Sequence, residues 1–305
     1  MAGLFSSGGG GGGGGDGGSP APLNSAVPFY LANETLDCFT DVDGARWLKT
    51  GVTQSGASVP DNPNAFTNLA TFTGTSFSTT NEDTAMQGIT WDGTHFWVVG
   101  LINMTVYKYD ALGVFTGTSF SVASEETAPS DLTWDGTHFW VVGSSTDAVY
   151  KYDALGVFTG TSFSTASEDT FPRGVVWDGT HFWVAGDSTN TVYKYDALGV
   201  FTGTSFSTAS EDTSIHSITW DGTHLWAAGD STNAVYKYDA LGVFTGISFS
   251  VASEDTTPRG VVWDGTHFWV VGDLNDAVFQ YTLSIGDPVA RIDTDTGYAI
   301  FIRIN

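Results

Sequence analysis

Histidines, carboxylates and one cysteine are the residues of this chain whose types could do chemistry. Five of its six histidines, His95, His138, His181, His224 and His267, recur every 43 residues inside the string WDGTHFW or its variant WDGTHLW. One histidine per repeat places these side chains around any closed arrangement about one sheet spacing of ~10 Å apart or more. Metal–nitrogen bonds are ~2 Å, so the five cannot share an ion. Each reads instead as a hairpin residue packed on a tryptophan and bonded to a nearby Asp or to backbone. The Asp of each WDG (Asp92, Asp135, Asp178, Asp221, Asp264) reads as the turn-former. The acidic pairs Glu82/Asp83, Glu125/Glu126, Glu168/Asp169, Glu211/Asp212 and Glu254/Asp255 read as solvated or capping residues of the linking loops, with a ring of weak cation sites as the alternative. DVDG and DTDTG echo calcium-loop fragments without the remaining ligands. Cys38 is the single cysteine, which excludes an intramolecular disulfide, and no histidine is placed to activate it. No metal site, cofactor or catalytic residue is expected.

Catalysis needs a local, asymmetric set of groups. Only Asp131 and His216 are singular ionisable residues near a strand start, and no nucleophile–base pair is visible, so the chain is expected not to be an enzyme. Binding is a different matter, because the repeats differ from one another at two places. Just before the first strand stand Gln87, Ser130, Arg173, His216 and Arg259. In the polar loop between the second and third strands the repeats carry Leu101-Ile102-Asn103, Ser144-Ser145-Thr146 and then runs starting at Asp187, Asp230 and Asp273. Alternating strand direction puts both sets on one face, opposite the near-invariant WDGTH hairpins and YDALG turns. The candidate ligand-binding residues are therefore Gln87, Ser130, Arg173, His216, Arg259, Asp187, Asp230 and Asp273. Arg173 and Arg259 are expected to hold an anionic group at the channel mouth, because the chain has only ten basic residues.

The elements that must position these residues follow from the repeat. FTGTSFS begins at Phe72, Phe115, Phe158 and Phe201, with FTGISFS at Phe244, again 43 apart. Within Arg173–Ser207, GVVWD is an alternating, β-branched strand, Asp178-Gly179 a tight hairpin, HFWVAG a second strand, TVYKYD a third and VFTGTSFS a fourth. Gly203 marks a bulge or close approach in the last of these. Four short antiparallel strands in 43 residues make one propeller blade. The repeat region opens on a lone fourth strand near Ala70 to Ser78 and closes on a first-to-third set from Gly260 to Leu283. Pairing them removes the open edges. The fold expected is all-β, a closed five-bladed β-propeller over residues 66–283. The two tryptophans per blade are expected to pack between blades, where ~150–250 Å² of aromatic surface is best buried, any exposed one serving as a stacking platform for sugars.

Around this core lie residues 1–27, a glycine-rich disordered tether, residues 28–65, a β-rich attachment segment, and residues 284–305, a terminal hairpin expected to pack with it. Lys+Arg number 10 against 34 Asp+Glu, a net charge of −24. Such acidity disfavours nucleic acid and anionic membrane as partners. No run approaches the ~20 apolar residues of a membrane span, and no secretory signal is evident, so synthesis in a cytoplasm is expected.

PRGVVWDGTHFWVAGDSTNTVYKYDALG resembles the blade repeat of NHL-type and streptogramin-lyase-like propellers: Pro-x-Gly, a β-branched pair, an Asp-Gly hairpin, a Val-x-Asp loop and an aromatic-x-Asp-x-x-Gly turn. It departs in carrying two tryptophans per blade, no arginine in the second-to-third-strand loop, and five units. The architecture also resembles five-bladed glycosidases, which use carboxylates from different blades at the central tunnel. ARWLKTGVTQSGASVPDNPNAF, leading into the propeller, resembles segments of bacteriophage tail-associated proteins. That resemblance implies a virion component, a tail fibre, tip or spike presenting the propeller to a host-surface glycan or receptor protein and attached to other virion proteins through both flanks. A purely architectural virion protein is the alternative, and a glycosidase or lyase the third reading.

Overall fold

The computed structural model describes the backbone of residues 38–40, 46–52, 70–283, 288–294 and 297–304, and the side chains of 70–283. The expected glycine-rich tether, 1–27, lies outside the described residues, as does most of the expected attachment segment. The chain divides into two compact units, Pro60–Ser284 and Met1–Val59 with Ile285–Asn305. Strands are numbered along the chain. In the second unit β1 (Cys38–Thr40), β2 (Arg46–Val52), β23 (Pro288–Thr294) and β24 (Gly297–Ile304) form one antiparallel sheet in the order β1-β2-β24-β23. Its centre joins the two ends of the chain, with Trp47 opposite Arg303.

The first unit is a five-bladed propeller of four-stranded antiparallel sheets. Blade I is β4 (Met86–Trp91), β5 (Phe96–Gly100), β6 (Thr105–Tyr109) and β7 (Phe115–Ser121). Blade II is β8 (Pro129–Trp134), β9 (Phe139–Gly143), β10 (Ala148–Tyr152) and β11 (Phe158–Ser164). Blade III is β12 (Pro172–Trp177), β13 (Phe182–Gly186), β14 (Thr191–Tyr195) and β15 (Phe201–Ser207). Blade IV is β16 (Ile215–Trp220), β17 (Leu225–Gly229), β18 (Ala234–Tyr238) and β19 (Phe244–Ser250). Blade V is β20 (Pro258–Trp263), β21 (Phe268–Gly272) and β22 (Ala277–Leu283), completed by β3 (Ala70–Ser78) from the start of the unit. The closure expected from the order of the repeats is the closure found: Tyr281 faces Phe72 and Ala277 faces Ser78 across β22 and β3. Among the described residues there is no helix.

Burial follows strand position. The second strand of each blade, FWVVG or a close variant, is buried throughout, whereas the fourth is largely exposed in every blade but IV. Glycine in that outer strand sits at positive φ, +83° at Gly203, where the register of β14 and β15 shifts by a bulge. Aromatic rings bond blade to blade. Trp97 packs on Phe139, Trp140 on Phe182 and Trp226 on Phe268, each at 4.6 Å between centroids, and Trp269 closes the ring on Phe96 at 4.7 Å. At the third interface Trp183 meets Leu225, the leucine of the variant heptapeptide. Each hairpin Asp holds its turn and its tryptophan together. Asp178 Oδ1 accepts from the Thr180 and His181 amides, while Oδ2 accepts from Trp183 Nε1 at 2.8 Å. The hairpin histidine bonds its neighbouring threonine, His181 Nδ1 lying 2.8 Å from Thr180 Oγ1.

Of the two roles expected for the acidic pairs, solvated or capping, their second members take the capping one. Their second members, Asp83, Glu126, Asp169, Asp212 and Asp255, are buried and tie the link to the loop between the second and third strands. Asp169 Oδ1 accepts from the Phe171 amide at 2.7 Å and Oδ2 from the Thr189 amide at 2.9 Å. A glycine ends the second strand for this reason: a Cβ at Gly186 would fall 2.3 Å from Asp169 Cγ. The first members each accept a buried tyrosine hydroxyl, as Glu168 does from Tyr195 at 3.1 Å. Acidic runs look like solvated loop in a sequence; bonds from backbone amides twenty residues away are what draw them inside. No group of three metal-ligating side chains occurs among the described residues.

Candidate functional site

The first strands β4, β8, β12, β16 and β20 neighbour one another in turn around the axis. Each carries a register shift at the same place. In blade III Pro172 pairs with Gly186 and Gly174 with Ala185, leaving Arg173 without a partner across the ladder. His216, Arg259 and Ser130 occupy the same bulged position in their blades, and Gln87 lies within the wider shift of blade I. A bulge frees one residue from the alternation of the strand and re-aims its side chain. The variable residues singled out by comparing repeats are therefore the ones the backbone releases.

One step deeper the corresponding residues are Gly88, Asp131, Gly174, Ser217 and Gly260. The strands crowd here: a Cβ at Gly88 would lie 2.4 Å from Asp131 Cα. Asp131 spans this layer. Its carboxylate accepts from the Leu132 amide at 2.9 Å, the Val175 amide at 3.2 Å and Ser217 Oγ, two blades away, at 2.9 Å. Burial pushes the Asp131 carboxyl well above its ordinary range, outweighing those bonds. Ser217 Oγ in turn accepts from the Val261 amide at 3.1 Å. This layer is the floor under the mouth.

Above it the structure gathers six of the eight candidate residues across blades III to V, as the pair Arg173–Asp187 beside a cluster of His216, Arg259, Asp230 and Asp273. Arg259 Nη1 lies 3.1 Å from Asp230 Oδ2, and its Nε 3.5 Å from Asp273 Oδ2. Arg173 Nε lies 3.7 Å from Asp187 Oδ2. His216 stands between the two arginines, buried, with Nε2 3.2 Å from Ser214 Oγ and 3.7 Å from Asp230 Oδ2. Arg259 Nη1 is 3.0 Å from His216 Nε2 and 3.1 Å from Nδ1. One nitrogen equidistant from both ring nitrogens sits over the ring face, because an in-plane approach would collide with the carbon between them. Burial first, then the charges of Arg259 and Arg173, depress His216 to a pKa of about 3. The imidazole is neutral at neutral pH. Burial also lowers Arg173, against the pull of Asp187, and raises Asp273, against that of Arg259.

Two candidate residues stay outside this network. Ser130 is buried and bonds the Val142 and Pro172 carbonyls at 3.3 Å. Gln87 is buried too, its Nε2 3.5 Å from the Ala85 carbonyl. At the mouth, where the two arginines were expected to hold an anionic group, both guanidinium groups face aspartates, two arginines against Asp187, Asp230 and Asp273. Both nevertheless keep a buried Nε with no hydrogen-bond partner. Sequence reasoning missed Phe171, whose ring lies 4.2 Å beneath the Arg173 guanidinium and is partly exposed. The same comparison of repeats could have found it, since the equivalent positions are Ala85, Ala128, Ser214 and Thr257.

No protein-family model matches the chain, and no curated protein sequence matches it. Solved structures do. Glutaminyl cyclase of Myxococcus xanthus aligns over 72% of this chain and 97% of its own at a TM-score of 0.55 and 13% identity. Virginiamycin B lyase of Staphylococcus aureus aligns over 81% of this chain and 79% of its own at a TM-score of 0.44 and 17% identity. A streptogramin B lyase aligns at a TM-score of 0.44 and 13% identity, over 81% of this chain and 78% of its own. The propeller resemblance read from the repeats is thus met again among solved structures, and at these identities it is a likeness of fold alone. Nothing found in these comparisons bears on the bacteriophage resemblance of the flank. The non-enzyme expectation is corrected: the glutaminyl cyclase is an enzyme on this fold. The expectation rested on near-identical blades, and the mouth is where the blades are not identical.

Proposed function

We propose that the propeller is a recognition module that binds a polyhydroxylated ligand, a surface glycan, at the mouth formed by blades III to V. The observation that supports this is the network of Arg173, Arg259, Asp187, Asp230 and Asp273 around neutral His216. Charged, planar donors and acceptors held half-buried by one another hydrogen-bond hydroxyl groups well, because charge-assisted bonds are the stronger ones and the geometry is already fixed. Phe171, exposed beside Arg173, offers an apolar surface for a sugar C–H face. Presentation of this mouth to a host surface from a virion belongs to the same proposal and rests on the flank resemblance. The test is a triple Arg173→Ala, His216→Ala, Arg259→Ala variant, shown folded by its thermal transition, on a glycan array and on host cells. Each lost charge-assisted bond is worth about 1.5–3 kcal/mol, so binding should fall at least tenfold. Unchanged binding in the folded variant removes the mouth from the proposal.

A second reading has its own support. Two guanidinium groups beside His216 supply the anion stabilisation that a glycan lyase needs, but an imidazole held at a pKa of about 3 is a weak proton acceptor at neutral pH. Polysaccharide incubated with the protein and with His216→Gln separates the two: cleavage lost in the variant supports catalysis, and binding without cleavage supports recognition alone.

A further inference from the structure

A second cavity opens on the same face of the propeller, away from the mouth, where the link into blade IV passes the outer strands of that blade. Its lining includes Ser210, Glu211, Thr232, Tyr236, Phe244 and Ser248. Half-buried Phe244, edge to face with the buried Tyr236 at 5.9 Å and 67°, forms an aromatic wall. The polar side is ordered by bonds of its own. The Tyr236 hydroxyl donates to Thr232 Oγ1 at 2.7 Å, Thr232 Oγ1 donates to the buried Asp212 carboxylate at 2.5 Å, and Glu211 accepts from the Tyr238 hydroxyl at 3.2 Å.

We propose that this cavity is a binding site for a neutral hexopyranose, separate from the mouth and repeated around the rim. A pyranose has an apolar C–H face and an edge of hydroxyl groups; the cavity has an aromatic wall and a carboxylate-and-hydroxyl edge to match them. The lining carries one carboxylate and no cation, which turns away acidic sugars. The lining is a property of the repeat. At 43-residue spacing the same places hold Glu168, Thr189, Tyr193, Phe201 and Ser205 in blade III, and Glu125, Thr146, Tyr150, Phe158 and Ser162 in blade II. Blades I and V substitute Asn103 and Asn275 for the threonine, and blade V alone replaces the tyrosine, with Phe279. The aromatic pair keeps its geometry, with Tyr193 and Phe201 5.8 Å apart at 71° and Tyr150 and Phe158 5.9 Å apart at 66°. Weak sites repeated on one rigid face convert to avidity on a surface dense in glycan.

The test is fluorine NMR on the full chain labelled with 3-fluorotyrosine, titrated with glucose, galactose, mannose and N-acetylglucosamine, with sialic acid as the anionic control. The resonances of Tyr107, Tyr150, Tyr193 and Tyr236, assigned through single Tyr→Phe variants, should shift saturably with at least one neutral sugar. The inner tyrosines Tyr109, Tyr152, Tyr195, Tyr238 and Tyr281, which meet the sites only through the glutamates that accept their hydroxyls, should shift less. Ser210 is exposed at the rim of the blade IV cavity, so Ser210→Trp blocks the site without touching the core. In that variant the Tyr236 resonance should stop responding while the other rim tyrosines continue. Absence of any shift with all four neutral sugars overturns the proposal, as does a Tyr236 response that survives Ser210→Trp. The mouth triple variant should leave the rim shifts intact, which keeps failure here distinct from failure at the mouth.

Discussion

Replacing Asp178 tests whether one carboxylate per blade joins turn to core. Its Oδ1 takes the Thr180 amide at 2.8 Å, the Thr180 hydroxyl at 2.8 Å and the His181 amide at 2.7 Å, while Oδ2 takes Trp183 Nε1 at 2.8 Å. In Asp178→Ala the turn donors regain water, so their loss is modest, about 0.5–1.5 kcal/mol each. Trp183 is 1% exposed, and its N–H stays buried without a partner, which costs about 1–3 kcal/mol more. The sum is about 2.5–7.5 kcal/mol, a fall in Tm of roughly 5–30 °C for a domain of this size. Asp178→Asn keeps an oxygen for the turn but sets an amide N–H against the indole N–H, so only the tryptophan part is lost, about 1–3 kcal/mol. Burial works against the ionised carboxyl, but the bonds from Thr180, Trp183 and His181 together outweigh it and hold its pKa below the ordinary range. A depressed carboxylate adds stability above its unfolded pKa of about 3.9 and loses it as pH falls through the folded value. Urea unfolding at neutral pH and at pH near 3 should therefore show the parent and Asp178→Ala converging in acid. An Asn variant as damaged as the Ala variant, or a gap that does not narrow in acid, would refute the reasoning.

Asp131→Asn should respond in the opposite sense. Its folded carboxyl keeps its proton to higher pH than the unfolded one, so the parent loses stability as pH rises from about 3.9 through the raised value. Urea midpoints from pH near 4 to pH near 8 should show the variant gaining on the parent, and parallel profiles would reject a buried, protonated floor. His216 should take up its proton near the depressed value of about 3 instead of near its ordinary value. Below the unfolded value of about 6.5 the unfolded chain binds that proton first, so parent stability should decline from there toward acid. His216→Gln should remove that part of the slope, and nitrogen NMR of the labelled imidazole showing a titration near pH 6 would contradict the geometry.

Five blades, their strand order and the closure by β3 were legible because the repeats are nearly exact, and a one-dimensional pattern suffices to place strands. The mouth was legible as a set of positions for the same reason: residues that differ among copies at one phase share one ring. What the repeats could not disclose was the pairing within that ring. Arg259 meets Asp230, 29 residues back in the neighbouring blade, and stacks on His216, 43 residues back. Nothing local in the sequence chooses those partners over solvent. The same blindness left acids such as Asp169 open between solvated and capping roles, and it made Gln87 and Ser130 look equivalent to Arg173 when Ser130 turns toward backbone carbonyls.

Near-identity of the blades also explains why the mouth is lopsided. Five arginines at the bulged position would set five like charges around one axis, over a floor too crowded for water to screen them. The chain carries two, Arg173 and Arg259, with His216 in the blade between them. Burial and the two guanidinium charges keep that histidine neutral, so it separates the cations without adding a third. The aspartates at the head of the next loop, Asp187, Asp230 and Asp273, occur in the same three blades and in no other. Blades I and II, with Gln87 and Ser130, have neither charge at these positions. Charge and countercharge thus enter the fold together. Any ligand that reads this network must approach from one side of the axis, the side of blades III to V.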